Sequence, residues 1–141
     1  MKKIILSLMI ASITIVTYAQ KLKASEVPIN VKASFSKLFP DAIAKWEKED
    51  GNYEANFKET GKNMSATFSP SGSFLESELA VAAADLPTGI ASYIVEHYNG
   101  AKIKGGSKIT KADGSTTYEA EVNGKDVIFD TNSKFIKEEK D

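Results

Sequence analysis

Gly51-Asn52-Tyr53-Glu54-Ala55-Asn56-Phe57 returns later in the chain as Gly114-Ser115-Thr116-Thr117-Tyr118-Glu119-Ala120-Glu121-Val122. In the first copy Tyr53, Ala55 and Phe57 alternate with Glu54 and Asn56; in the second Tyr118, Ala120 and Val122 alternate with Glu119 and Glu121. A period of two places one set on each face of a strand, so each copy predicts a strand with an apolar side against a core and a polar side toward water.

The neighbourhood of the strand repeats with it. Val27-Pro28 answers to Leu86-Pro87, Val31 to Ile90, Phe35 to Ile94, Leu38-Phe39 to His97-Tyr98, and Ala42 to Ala101. Downstream, the segment from Phe68 to Phe74 answers to that from Phe129 to Phe135. The offset is 59 residues at the proline, 65 at the tyrosine and 61 at the second phenylalanine. Insertions therefore fall between elements, where loops tolerate them, and the chain reads as a tandem duplication.

Each copy opens with a helix. Ser25 or Val27 leads into Pro28, a residue suited to a first helical turn because its missing N–H needs no partner there. Val31, Phe35, Leu38 and Phe39 form one apolar stripe, and Pro40 ends it. The second helix repeats the plan with Pro87, Ile90, Ile94, His97 and Tyr98, and Asn99-Gly100 supplies the stop.

Four strand-like runs follow each helix. In the first copy they cover roughly 43–48, 52–58, 62–68 and 73–79; in the second, roughly 102–111, 115–122, 125–129 and 134–138. Asp50-Gly51, Thr60-Gly61, Asp113-Gly114 and Asn123-Gly124 punctuate them and predict antiparallel hairpins. The junction from Leu79 to Asp85 is apolar and short, unlike a flexible linker, so the copies should pack as one body around a shared interior. The expected fold is α+β: an α-β-β-β-β unit used twice, giving one antiparallel sheet of about eight strands with two helices on one face. Its open face would carry Glu54, Asn56, Thr67, Glu119 and Glu121.

Met1-Lys2-Lys3 followed by an apolar run from Ile4 to Val16 and then Thr17-Tyr18-Ala19 predicts a signal peptide over 1–19, cleaved before Gln20. At 13 residues, a few of them hydroxylic, the run falls short of the ~20 that a spanning helix needs. The remaining 20–141 would be a single domain of two repeats, about 25–80 and 85–141, in the periplasm or secreted, with no membrane attachment after cleavage. Residues 1–19 hold two of the 18 basic residues and none of the 19 acidic ones, so removing them takes the formal charge from −1 to −3. That balance, with lysines scattered along the chain, argues against a nucleic-acid partner. There is no cysteine. Disulfides, thiol catalysis and thiolate metal sites are thereby excluded, and packing alone must stabilise the domain.

Pro28-x-x-Val31, Phe39-Pro40, Trp46-Glu47-Lys48-Glu49 and Gly51-Asn52-Tyr53-Glu54-Ala55, followed by Leu86-Pro87-x-x-Ile90, Tyr98 and Tyr118-Glu119-Ala120-Glu121, resemble the PepSY-like family of exported bacterial proteins, also called beta-lactamase-inhibitor-like. The resemblance covers nearly all of 20–141. It implies a periplasmic or secreted domain with helices on an antiparallel sheet, as in inhibitor proteins whose concave sheet grips an enzyme. Some family members carry labels suggesting calcium regulation. The chain departs from the pattern at Asn99-Gly100, where the family more often shows a Pro-Gly-like pair, a difference that alters a turn.

No catalytic or metal-ligating motif is present. Glu54 and Glu119 occupy matching positions and could form an acid/base pair if held roughly 5–9 Å apart; as strand residues facing water they read more simply as surface charges. His97 is the only histidine, which rules out a two-histidine metal site or a triad; it falls on the helix stripe, at the edge of the core. Asp130-Thr131-Asn132-Ser133 is rich in oxygen but lacks the spaced acids and distal bidentate glutamate of an EF-hand, which favours a plain turn. Trp46 and Tyr93 read as core residues, with interface anchors as the other possibility. Together these features predict a non-catalytic exported module, no enzyme and no cofactor, that binds or inhibits a protein or peptide through its open sheet face. A calcium-responsive periplasmic domain is the alternative.

Overall fold

The computed structural model describes residues 19–140, so all of the expected signal peptide except Ala19 lies outside the described residues. Three two-residue turns set the topology. Asp50-Gly51, Thr60-Gly61 and Asn123-Gly124 each place both residues at positive φ, between +49° and +81°, the geometry whose twist matches that of the strands it joins. Asp113-Gly114 behaves differently. Only Gly114 has positive φ, and the Asp113 carboxylate accepts the Ser115 N–H at 2.9 Å within a longer loop.

The strands are β1 (Gln20–Leu22), β2 (Lys45–Glu49), β3 (Asn52–Glu59), β4 (Lys62–Phe68), β5 (Phe74–Val81), β6 (Gly105–Lys111), β7 (Thr116–Val122), β8 (Lys125–Phe129) and β9 (Phe135–Lys140). Each pairs antiparallel with its neighbours in sequence, so the sheet is one nine-stranded meander. The extra strand is β1, which pairs Leu22 with Trp46 at the edge. β2 and β6 begin later than their sequence pattern, because the residues before them turn toward the helices: Ala42 and Ala44 pack on the first core, Ala101 and Ile103 on the second.

Helices α1 (Ile29–Leu38) and α2 (Thr88–His97) each follow a 3-10 turn, at Ala24–Glu26 and Ala83–Asp85. Pro28 and Pro87 stand just outside the helices, as caps with extended ψ of 143° and 134°, and not within the first turn. α2 ends as Asn99-Gly100 predicts: both residues have positive φ, and the Gly100 N–H reaches back to the Val95 carbonyl at 3.1 Å.

Cross-strand register puts Met64, Leu79, Lys108, Tyr118 and Phe129 in one row on one face, so both helices cover the same side of the sheet. There are two interiors, however, in place of the single shared one expected. Val31 and Phe35 of α1 pack with Trp46, Ala55, Phe57, Ala66 and Phe68; Ile90 and Ile94 of α2 pack with Ala120, Val122, Val127 and Phe129. The first is built on aromatic edges. The Phe35 ring meets Trp46, Phe57 and Phe68 edge-on at centroid distances of 5.4, 5.2 and 6.4 Å, a geometry that adds to simple area burial. Between the interiors, Ser77 faces Thr110 and Leu79 faces Lys108 across the β5–β6 seam, and none of the four belongs to either. Leu38 leaves the predicted stripe and is exposed.

The duplication extends to fine detail. A register shift interrupts the ladder between Thr67 and Phe68 and again between Ile128 and Phe129. The turn that follows is the same in both: Ser69 N–H to Ser73 C=O in one copy, Asp130 N–H to Lys134 C=O in the other, each at 2.9 Å. This turn presses on the first turn of its helix, and the copies solve the crowding in opposite ways. In the first, Gly72 (φ +85°) abuts Asn30; a Cβ there would lie 3.0 Å from the Asn30 carbonyl oxygen. In the second, the glycine is on the helix side: a Cβ on Gly89 would lie 2.6 Å from Ser133 Cβ.

Candidate functional site

The uncovered face is lined by the alternate residues of each strand that point away from the helices, in rows given by the register. One row runs Lys21, Glu47, Glu54, Thr67, Glu76, Lys111 across β1 to β6. The next runs Lys45, Asn56, Ser65, Glu78, Ile109, Thr117 from β2 to β7. Beyond them, Glu121 pairs with Asp126. All five residues predicted for this face, Glu54, Asn56, Thr67, Glu119 and Glu121, are on it, and all are half-buried.

The face is concave. A hollow of about 320 Å³ gathers Glu54 and Thr67 with Glu49, Asp50, Glu76 and Glu78. An adjoining hollow of about 570 Å³ is lined by Glu119, Glu121 and Asp126 together with the same Glu49 and Glu78. Glu49 belongs to β2 and Asp126 to β8, so strands far apart in the sheet border one space, as the accumulated strand twist requires. The curvature also buries side chains that a flat face would expose: Ile128 is only 6% exposed and Ser107 only 7%. Ser107 donates its hydroxyl to Glu78 at 2.5 Å, which holds that carboxylate in place between the two hollows.

Crowding of carboxylates perturbs the centre of the first hollow. Burial pushes the Glu54 carboxyl above its ordinary range, and the charges of Glu49, Glu47 and Glu78 push it further; a hydrogen bond with Asn56 partly opposes them. Glu121 is paired with Lys104 at 3.7 Å. Glu54 and Glu119 lie on β3 and β7 and line different hollows, Glu54 the first and Glu119 the second, so the structure does not gather them as a pair.

The other candidates belong to structure. Trp46 is buried in the first core. The Tyr93 ring stacks on Phe135 at 5.4 Å and meets Phe129 edge-on. His97 is exposed and lies flat on Tyr93 at 3.9 Å, so it covers a core residue from outside and is not itself part of the edge. Asp130 spends one carboxylate oxygen on the N–H groups of Asn132 and Lys134, both at 2.9 Å, which makes it the organiser of its turn. Among the described residues no three acidic, histidine or cysteine side chains are grouped as metal ligands, and no helix is long and apolar enough to cross a membrane.

Glu49, Asp50, Glu76, Glu78 and Asp126 were not predicted for the face. Alternation alone points Glu76 and Glu78 to the same side of their strand, but which side follows only from the register with β4.

Solved structures share the fold. A BLIP-like protein from Bacteroides fragilis superposes with a TM-score of 0.67 at 22% identity, covering 79% of this chain and 84% of that one. A DUF2874 family protein from Bacteroides uniformis gives 0.72 at 16% identity, covering 80% and 88%. A protein from Bacteroides eggerthii, named as a putative periplasmic protein, gives 0.73 at 12% identity, covering 81% and 88%. At these identities the likeness is one of fold. No curated protein matches the chain. The family model described as "Putative beta-lactamase-inhibitor-like, PepSY-like" matches residues 14–76 and again 51–137. Two such matches, on a sheet whose turns, bulges and helix caps recur in step, carry the conclusion that this chain belongs to the PepSY-like family.

Proposed function

We propose that the protein is an exported, periplasmic, non-catalytic module that binds, and by binding inhibits, a protein or peptide held against the concave face of its sheet. The observation that carries this reading is the shape of that face. Polar side chains from β2 to β8, most of them half-buried, border two adjoining hollows, while the opposite face is occupied by the helices and cores. A curved polar face on a rigid scaffold can bury the surface that a stable complex needs. The family description and the BLIP-like fold support the inhibitory part of the reading.

A photo-crosslinking residue placed at Thr67, on the concave face, should trap a partner in the periplasm, whereas one at the exposed Ser36 of α1 should not. Equal adducts from both positions, or adducts from Ser36 alone, would overturn the assignment of the face.

A further inference from the structure

Resting on that reading, we infer that the occupant of the concave face is a cationic segment of a partner protein, one that presents lysine or arginine side chains into the two hollows. Among the described residues eight acidic side chains line them and no lysine does, although the formal charge of the whole chain is only −1. The charges are therefore sorted by position. Lysines sit at the ends of the rows, Lys21 and Lys111 in one and Lys45 in the next, where they form a rim around an acidic floor.

Concavity gives this sorting its force. Low-dielectric walls on two sides focus the field of the carboxylates into the space between them; acids from β2, β3 and β5 face one hollow, and acids from β2, β5, β7 and β8 face the other. The carboxylates are spread along the hollows; among the described residues none are grouped as ligands for a single metal ion. A distributed field of this kind fits several ammonium or guanidinium groups carried on one chain, each accepted by a different carboxylate. Glu49 and Glu78 border both hollows and would contact such a segment wherever it lies. The raised titration of Glu54 agrees with the geometry, since an arriving cation would relieve the repulsion that burial and its neighbours impose.

The test uses the purified protein with three fluorescent nonapeptides, oligo-arginine, oligo-glutamate and a neutral Gly/Ser sequence, read by anisotropy. Oligo-arginine should bind, and should weaken about tenfold or more as salt rises from about 50 to about 500 mM. Glu49→Gln/Glu54→Gln/Glu76→Gln should lose about tenfold in affinity, while Glu59→Gln/Asp85→Asn/Glu96→Gln, away from the concave face, should stay within about twofold. Circular dichroism spectra of both variants control for folding. Equal loss in the two variants, no binding of oligo-arginine, or preference for the anionic or neutral peptide would each overturn the inference. If the peptide result is negative while Thr67 crosslinks a partner, only the cationic chemistry falls. If Thr67 traps nothing, the docking face itself falls.

Discussion

Replacing Gly89 by alanine tests the mirror-image solution of the helix–turn contact. The new Cβ would lie 2.6 Å from Ser133 Cβ and 2.8 Å from its Oγ, and because the first clash involves two Cβ atoms, no rotamer change removes it. Overpacking of this kind costs about 1–3 kcal/mol, while alanine in place of a helical glycine returns about 1 kcal/mol. G89A alone should therefore be destabilised by about 1 kcal/mol. Ser133→Gly deletes both clashing atoms and relieves a non-glycine residue at φ +64°. In that background the same alanine should stabilise by about 1 kcal/mol, its helical gain now unopposed. The coupling energy of the pair is then about 2 kcal/mol, and intrinsic effects of each substitution cancel from it. Urea unfolding of the wild type, both single variants and the double variant measures it, with a common m-value required. Coupling below about 0.5 kcal/mol, the usual scatter for independent sites, would refute the claim that the two turns are related by exchanged glycines.

Two further outcomes concern ionisation. The folded-state pKa of Glu54 is raised above the ordinary value of 4.5, so its protonated form is favoured by folding: the contribution is fully present below the unfolded pKa and is lost as pH rises through the folded one. Glu54→Gln should consequently stabilise the protein above that window and have no effect below pH 4.5, and NMR titration should show the Glu54 midpoint falling in Glu49→Gln; an unchanged midpoint would refute the assigned cause. The Tyr98 phenol is pushed up to about 12, by burial first and then by its 2.7 Å hydrogen bond to Glu138 and that carboxylate's charge. In ultraviolet titration Tyr98 should ionise at about pH 12, and earlier in Glu138→Gln; a titration unaltered by that change would count against the bond.

The parts of the fold that were legible in the sequence are those specified by local chemistry. Residues 62–68 and 125–129 matched β4 and β8 to the residue, since each is bounded by a two-residue turn with glycine at a positive φ. Alternation set the faces of β3 and β7 correctly for the same reason. What stayed hidden depends on tertiary pairing. β1 is three residues with no period to detect, and the 3-10 turns before the helices carry no apolar pattern. Phe57 and Trp46 could be assigned to a core but not to one of two, because nothing local says that the apolar rows stop at β5. The acidic floor was half visible: Glu54 and Glu119 could be placed from their own strands, whereas Glu49 and Asp126 meet only through curvature built up over six intervening strand pairings. Ile128, an apolar residue on the polar side, is buried only because that side is hollow.

The gap between the two cores has a mechanical consequence. Along β5 and β6 the sheet is spanned by backbone hydrogen bonds, with Ser77, Thr110, Leu79 and Lys108 on the helix side outside both cores and Val81, at the end of β5, the point where the second core reaches across. Flexing about this line would leave the aromatic contacts undisturbed, since those of Phe35 lie on one side of it and those of Phe129 on the other. It would also alter the aperture of the opposite surface directly, because Glu78 and Ser107 sit on the two strands of the line itself. Duplication without fusion of the interiors thus leaves the two halves of the concave surface joined along a line that the aromatic packing of neither half crosses.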